Sequence, residues 1–329
     1  MGEVHLAEHA LVKRPFAIKL TKPDGQFDSD AIGKFEKEVR ATAKLTHWNT
    51  VEIYDYGRTD DSTSYYVMAL LPGISLDDLL RRERSLPPAR IIYPLEQVCS
   101  ALHEAHSVGL VHRDIKPGNM FLSHQGGESD VAKLLDFGLV KEHNETLEED
   151  TPQGSFSGTP LVMAPEQTLE YDQADGRADL YSLGAVGYHT LTEEPPFAGC
   201  SVSELLRAHR MRAPRLLNEA VPSIADDLEH VILKALSKGP DERFQTAAEF
   251  RAELRSCSVH GQWDNGDALR WWKNNQGNSD KDSAMTFTKA FRLERQHMLQ
   301  IACDKARTFP YVNAMSSQLE MKKQHSLET

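Results

Sequence analysis

His112-Arg113-Asp114-Ile115-Lys116-Pro117-Gly118-Asn119 sets a carboxylate, an ammonium and a carboxamide within a few residues, directly after a long helical pattern. Asp136-Phe137-Gly138 comes 22 residues after Asp114, behind the apolar Leu134 and Leu135. Ala164-Pro165-Glu166 ends a 31-residue segment that begins at Asp136. Upstream, Ala17-Ile18-Lys19 is followed 19 residues later by Glu38. Any one of these strings occurs by chance; the ordered set does not.

The hydrophobic pattern around the set changes period along the chain. Residues 1–20 read as strands, with Val4, Leu6 and Ala7 early and Phe16-Ala17-Ile18-Lys19-Leu20 later. Ile32, Phe35, Val39, Ala43 and Leu45 recur at steps of three and four, an amphipathic helix over 28–46 capped by Asp28-Ser29-Asp30. Val51–Tyr56 and Tyr65–Leu70 are two further strands around a polar hairpin. Helical periods then dominate: Leu76–Arg84, Pro88–Val108, Asp179–Thr192, Ser203–Arg210, Ile224–Leu236 and Ala247–Ser256. Strands first and helices after predict an α+β protein. Near Ser258 the composition shifts to Gly, Asn and Ser with Trp263, Trp271 and Trp272, so a domain over 1–257 and an extension over 258–329 are expected.

With 40% hydrophobic residues the chain can bury a large core. Lys and Arg number 37 against 49 Asp and Glu, a net charge of −12, which argues against general affinity for nucleic acid or an anionic membrane. No apolar run reaches the ~18 residues of a membrane span, and the N-terminal residues have no basic segment leading into an apolar one. Leu6 stands where a myristoylation signal needs Ser or Thr. Cys99, Cys200, Cys257 and Cys303 have no CxxC spacing and read as reduced. A cytoplasmic location is expected. His103 and His106 are three apart, not the four of a zinc-binding HExxH helix, so an ordinary helix surface is expected there.

The ordered motifs are the protein-kinase signature set. Residues 1–257 resemble the eukaryotic-like Ser/Thr protein kinases of bacteria, and the text between the motifs agrees: His47-Trp48-Asn49-Thr50-Val51, Tyr66–Gly73, Gly158-Thr159-Pro160 before Met163-Ala164-Pro165-Glu166-Gln167, Asp179–Gly184 and Pro240-Asp241-Glu242-Arg243-Phe244. The resemblance implies a bilobal fold: a small antiparallel-sheet lobe (1–68) with one regulatory helix, a hinge (69–73) and a larger, mainly helical lobe (74–257). It implies ATP, Mg²⁺ or Mn²⁺ in its place, and protein substrates with Ser or Thr acceptors. Asp114 would be the catalytic base, and Lys116 would steady the transferring phosphate and mark the Ser/Thr branch. Asn119 and Asp136 would hold the metal. Lys19, braced by Glu38, would meet the nucleotide's phosphates. Gly2, Val4, Ala17, Met68 (the gatekeeper), Phe121 and the backbones of Ala69 and Leu71 would line the nucleotide site, and Glu166 would pair with Arg243. His112 is expected to be a packed structural histidine. Arg113 would receive a phosphate on the loop 146–157, with Ser155 or Ser157 as the autophosphorylation site and self-association as the route to it.

Gly2 and Val4 match only the last glycine and the valine of the family's glycine-rich loop, so the first strand and two glycines are expected to be missing. If so, the phosphates lose backbone N–H cover. A pseudokinase, a nucleotide-binding scaffold without activity, is the alternative reading. Leu161-Val162 replaces the usual aromatic before Met163, which bears on substrate choice. The tryptophans after Ser258 are expected to be packing anchors.

Overall fold

The computed structural model describes residues 3–8, 13–21, 39–59, 63–83, 86–137, 160–169, 174–199 and 201–275. Gly2, Glu38 and the loop residues Thr146, Ser155 and Ser157 lie outside them.

A four-stranded antiparallel sheet comes first, with β1 (Glu3–Glu8), β2 (Pro15–Thr21), β3 (Ile53–Arg58) and β4 (Ser64–Ala69) in the order β1-β2-β4-β3. Alternation along the strands puts every second side chain on one face. The register sets Val4 opposite Lys19, Lys19 opposite Tyr66 and Tyr66 opposite Tyr56; one step along, Ala17 faces Met68 and Met68 faces Ile53. Apart from Lys19, these residues belong to one apolar cluster with Val39, Val51 and Leu135. Val39 and Arg40 begin the described part of the helix expected over 28–46.

The larger lobe is built on helices: α1 (Leu76–Glu83), α2 (Pro88–Ser107), α3 (Gly176–Thr192), α4 (Val202–Met211), α5 (Leu217–Ala220), α6 (Asp226–Ala235) and α7 (Ala247–Ser256). The starts of α3, α4 and α7 follow cap chemistry. Asp175 accepts from the backbone N–H of Arg177, Thr246 from that of Glu249, and Ser201 with Glu204 closes a capping box. Helix α3 is buried on nearly all sides, and α6 crosses it so closely that a Cβ on Gly184 would lie 2.6 Å from the Cβ of Ala235. The architecture is the α+β arrangement of a sheet lobe and a helical lobe that the motifs implied.

Two features have no counterpart in the hydrophobic pattern. The first is a small sheet inside the helical lobe, β5 (Gly73–Ser75), β6 (Met120–Gln125) and β7 (Glu128–Leu134). Gly73 opens it at φ +153°, where a Cβ would stand 2.1 Å from the Leu122 carbonyl oxygen. Strand β7 also ties the lobes together: Leu134 donates its N–H to Asn49 O at 2.7 Å, and Val51 donates to Leu134 O at 3.1 Å.

The second is a helix over 265–275, here α8, which adds Ala268 and Trp272 to the core of the helical lobe. It is anchored at a buried ion pair, in which Arg90 donates from Nε to Asp130 Oδ2 at 3.1 Å. Trp263 and Trp272 donate their indole N–H groups to the two Asp130 oxygens at 3.1 and 2.8 Å. The Arg90 guanidinium lies 4.0 Å from the ring centre of Trp271. A buried ion pair is tolerated when further hydrogen bonds and cation–π contacts replace water, and three tryptophans supply them here. The compositional change at Ser258 therefore does not mark the end of packing, which runs on to Asn275. Among the described residues no helix is long and apolar enough to cross a membrane.

Candidate active site

The segment 112–119 is held rigidly from below. Asp179, buried on α3, accepts the backbone N–H groups of His112 at 2.8 Å and Arg113 at 2.7 Å, and its Oδ2 also lies 2.8 Å from His106 Nε2. Those bonds sustain Arg113 at φ +61°, a conformation that non-glycine residues occupy only when the surroundings impose it. From the opposite side, Gln167 donates to Arg113 O at 3.1 Å and accepts from the N–H of Ala164 at 3.0 Å. The Ala164-Pro165-Glu166 turn is braced in turn by Arg243, whose two terminal nitrogens donate to the Glu166 oxygens at 2.7 and 2.8 Å, as the sequence led us to expect.

His112 is fully buried and joins two motifs. Its Nδ1 accepts the N–H of Asp114 at 3.2 Å, so the ring proton is on Nε2, which donates to Leu135 O at 2.8 Å. Burial lowers its pKa, keeping it neutral. Its ring lies 4.6 Å from that of the buried Phe137. The histidine is structural, spacing Asp114 from the segment after β7 that carries Asp136.

Around that frame the charged groups converge. Asp114 Oδ2 is met by Lys116 Nζ at 2.8 Å and by Asn119 Nδ2 at 3.0 Å. With its nitrogen turned to Asp114, Asn119 presents its amide oxygen elsewhere. Its own backbone carbonyl accepts the N–H of Leu135 at 2.9 Å, so Asn119 and Asp136 are set side by side. Asp136, at φ +53°, accepts Lys19 Nζ at 2.7 Å across 117 residues of sequence. The Tyr66 hydroxyl donates to the other Asp136 oxygen. Val4, Ala17, Met68, Ala69 and Leu71 border the same apolar cluster under the sheet, and Phe121 stands on β6 opposite Ser75. Ala69 already gives its N–H to Glu52 O at 2.9 Å.

Lys19, Asp114, Lys116, Asn119 and Asp136 thus meet in one region, whereas Gly2 and Glu38 fall outside the described residues. Sequence reasoning missed Asp179 as the clamp and Tyr66 as a partner of Asp136. No spacing in the sequence pointed to Tyr66; the pairing of β2 with β4 is what places it directly opposite Lys19.

Comparison with known proteins identifies the family. The protein kinase domain model matches residues 1–253. The serine/threonine-protein kinase Pkn1 of Myxococcus xanthus is 37% identical over 255 residues, covering 78% of this chain and 36% of Pkn1. PknB of Mycobacterium tuberculosis is 35% identical over 257 residues, covering 77% of this chain and 40% of PknB. The chain therefore spans well under half the length of these relatives. The crystal structure of the Mycobacterium tuberculosis PknI kinase domain superposes with a TM-score of 0.59 at 27% identity, covering 78% of this chain and 90% of that one. On the matched domain and on these relatives, the chain belongs to the protein kinase family.

Proposed function

We propose that the protein transfers the γ-phosphoryl group of ATP to serine or threonine hydroxyls of protein substrates, in the cytoplasm. The observation that carries this reading is the contact of Lys19 from the sheet lobe with Asp136 of the helical lobe, beside a carboxylate, Asp114, held by Lys116 and Asn119.

The donor set suits the metal of that reaction. Mg²⁺ prefers oxygen ligands and takes one or two protein oxygens, completing its shell with phosphate and water. Asp136 and the amide oxygen of Asn119 are such a pair, and among the described residues no cluster of three His, Cys, Asp or Glu competes for a metal. Mg²⁺, when bound, neutralises charge developing on the phosphate oxygens. Asp114 then takes the proton of the acceptor hydroxyl as its oxygen attacks. Lys116, already at the Asp114 carboxylate, places a cation where the transferring group's charge spreads. Lys19 does the same for the remaining phosphates, with Glu38 assigned to hold it. Val4, Ala17, Met68 and Phe121 offer apolar surface for the base. The backbones of Ala69 and Leu71, together with Gly2, are assigned to the nucleotide by the family resemblance alone.

Label from γ-³²P-ATP should enter a generic acceptor protein as phosphoserine and phosphothreonine. Asp114→Asn should cut the rate ~10²- to 10⁴-fold, the usual loss for a general base. Incorporation no higher than in the Asp114→Asn control, or label confined to tyrosine, would contradict the reading. The reading extends to autophosphorylation between two copies at Ser155 or Ser157, with Arg113 receiving the phosphate. Phosphosite mapping after incubation with ATP and Mg²⁺ tests it, and modification confined to 258–329 would contradict it.

A further inference from the structure

Tyr66 is 1% exposed and stands on β4 directly opposite Lys19. Directly opposed residues of an antiparallel pair send their side chains to the same face. The two therefore reach Asp136 together: Lys19 Nζ lies 2.7 Å from Oδ2, and the Tyr66 hydroxyl donates to Oδ1. The same ammonium lies 5.9 Å from the centre of the Tyr66 ring. An ionised carboxylate accepts about four hydrogen bonds over its two oxygens, so each oxygen keeps capacity for a metal after these contacts. A tyrosine hydroxyl is protonated at neutral pH and here acts as the donor. A buried hydroxyl aimed at a carboxylate that would ligate a metal is an outer-shell orienting group, and removing such a partner typically costs 10- to 100-fold in metal affinity.

We propose that Tyr66 is a positioning residue for Asp136: its O–H donates to Oδ1, fixes the rotation of the carboxylate and thereby sets the affinity of the site for its divalent metal. The inference rests on the kinase reading, in which Asp136 holds that metal.

The test is a titration of Mn²⁺ into the protein saturated with β,γ-methylene-ATP, with free Mn²⁺ read from its electron paramagnetic resonance signal. Tyr66→Phe, which keeps the ring and loses the hydroxyl, should weaken Mn²⁺ retention roughly 10- to 100-fold. Metal-free nucleotide affinity and melting temperature should stay near those of the unsubstituted protein. Tyr66→Met, with a flexible apolar side chain, repeats the deletion if the phenylalanine variant does not fold. Tyr56→Phe is the control, since the Tyr56 hydroxyl meets Arg40 Nε at 3.0 Å, away from Asp136. Equal Mn²⁺ affinity in Tyr66→Phe and the unsubstituted protein would overturn the inference alone. Tighter binding would overturn it too, because the hydroxyl would then compete with the metal. If the unsubstituted protein retains no Mn²⁺ beside the analogue, the metal assignment to Asp136 and Asn119 fails, and this inference fails with it.

Discussion

Lys19 illustrates how a single side chain is defined from two sides. The strand places it opposite Tyr66, and the helical lobe delivers Asp136 to it. Lys19→Met keeps the length and apolar stem while removing the charge. Loss of one preorganised electrostatic contact typically costs 10²- to 10³-fold, so kcat/KM for ATP should fall by about that much. Steady-state kinetics check this, and an unchanged kcat/KM would mean that the ammonium faces no developing charge. Asp114, Lys116, Asn119 and Asp136 could be singled out in the sequence because the chemistry proposed for each calls for one residue type at a fixed offset. Tyr66 was not, since no spacing rule links it to Asp136; only the pairing of β2 with β4 brings them together. Asp179 is a similar case, a buried carboxylate whose partners are backbone N–H groups that leave no mark on the sequence.

Among the elements, the longer helices over 76–107 and 176–256 were readable from their periods, whereas the one-turn helix Leu217–Ala220 was not. The β5-β6-β7 sheet was not, because its strands are short and their pairing is decided by tertiary contacts rather than by alternation. Helix α8 was hidden by a Gly- and Asn-rich lead, although its tryptophans marked it as a packing segment. Its anchor can be tested directly. Trp272 is 6% exposed and bonded to Asp130, and truncating a buried aromatic typically costs about 3–5 kcal/mol. Trp272→Ala should lower the urea midpoint accordingly, and a chain ending at Cys257 should melt below one ending at Asn275. Equal melting temperatures would place the end of the folded unit at 257. Elsewhere Arg243, whose side chain is fully buried, holds a partly exposed Glu166. Arg243→Met would strand that carboxylate, and removing one partner of a buried pair costs roughly 3–5 kcal/mol, somewhat less here because solvent reaches Glu166.

For the molecule as a whole, buried and half-buried histidines contribute to the response to acid. Burial lowers the pKa of His47, His112 and His189, and brings that of His209 down to about 4. The unfolded chain, whose histidines titrate near 6.5, therefore binds more protons between about 6.5 and about 4. Stability is complete above the upper limit and declines as the pH falls through that window. The urea midpoint should drop steadily from pH 7 to pH 5. His209→Gln, which can still accept from the Tyr181 hydroxyl, should flatten the slope. A midpoint that rises on acidification would contradict the assignment. The bilobal plan itself was legible, as strands preceded helices and the motifs kept a fixed order, and the resemblance implied that the lobes meet at one nucleotide site; the contacts through which they meet, such as Lys19 with Asp136, needed three dimensions. That convergence is tested most directly by a crystal structure with β,γ-methylene-ATP and Mg²⁺. The account predicts a Mg²⁺ ion at ~2.0–2.1 Å from oxygens of both Asp136 and Asn119, with the phosphates against Lys19 and the γ-phosphate beside Asp114 and Lys116. A nucleotide bound away from these residues, or a metal touching neither Asp136 nor Asn119, would contradict it.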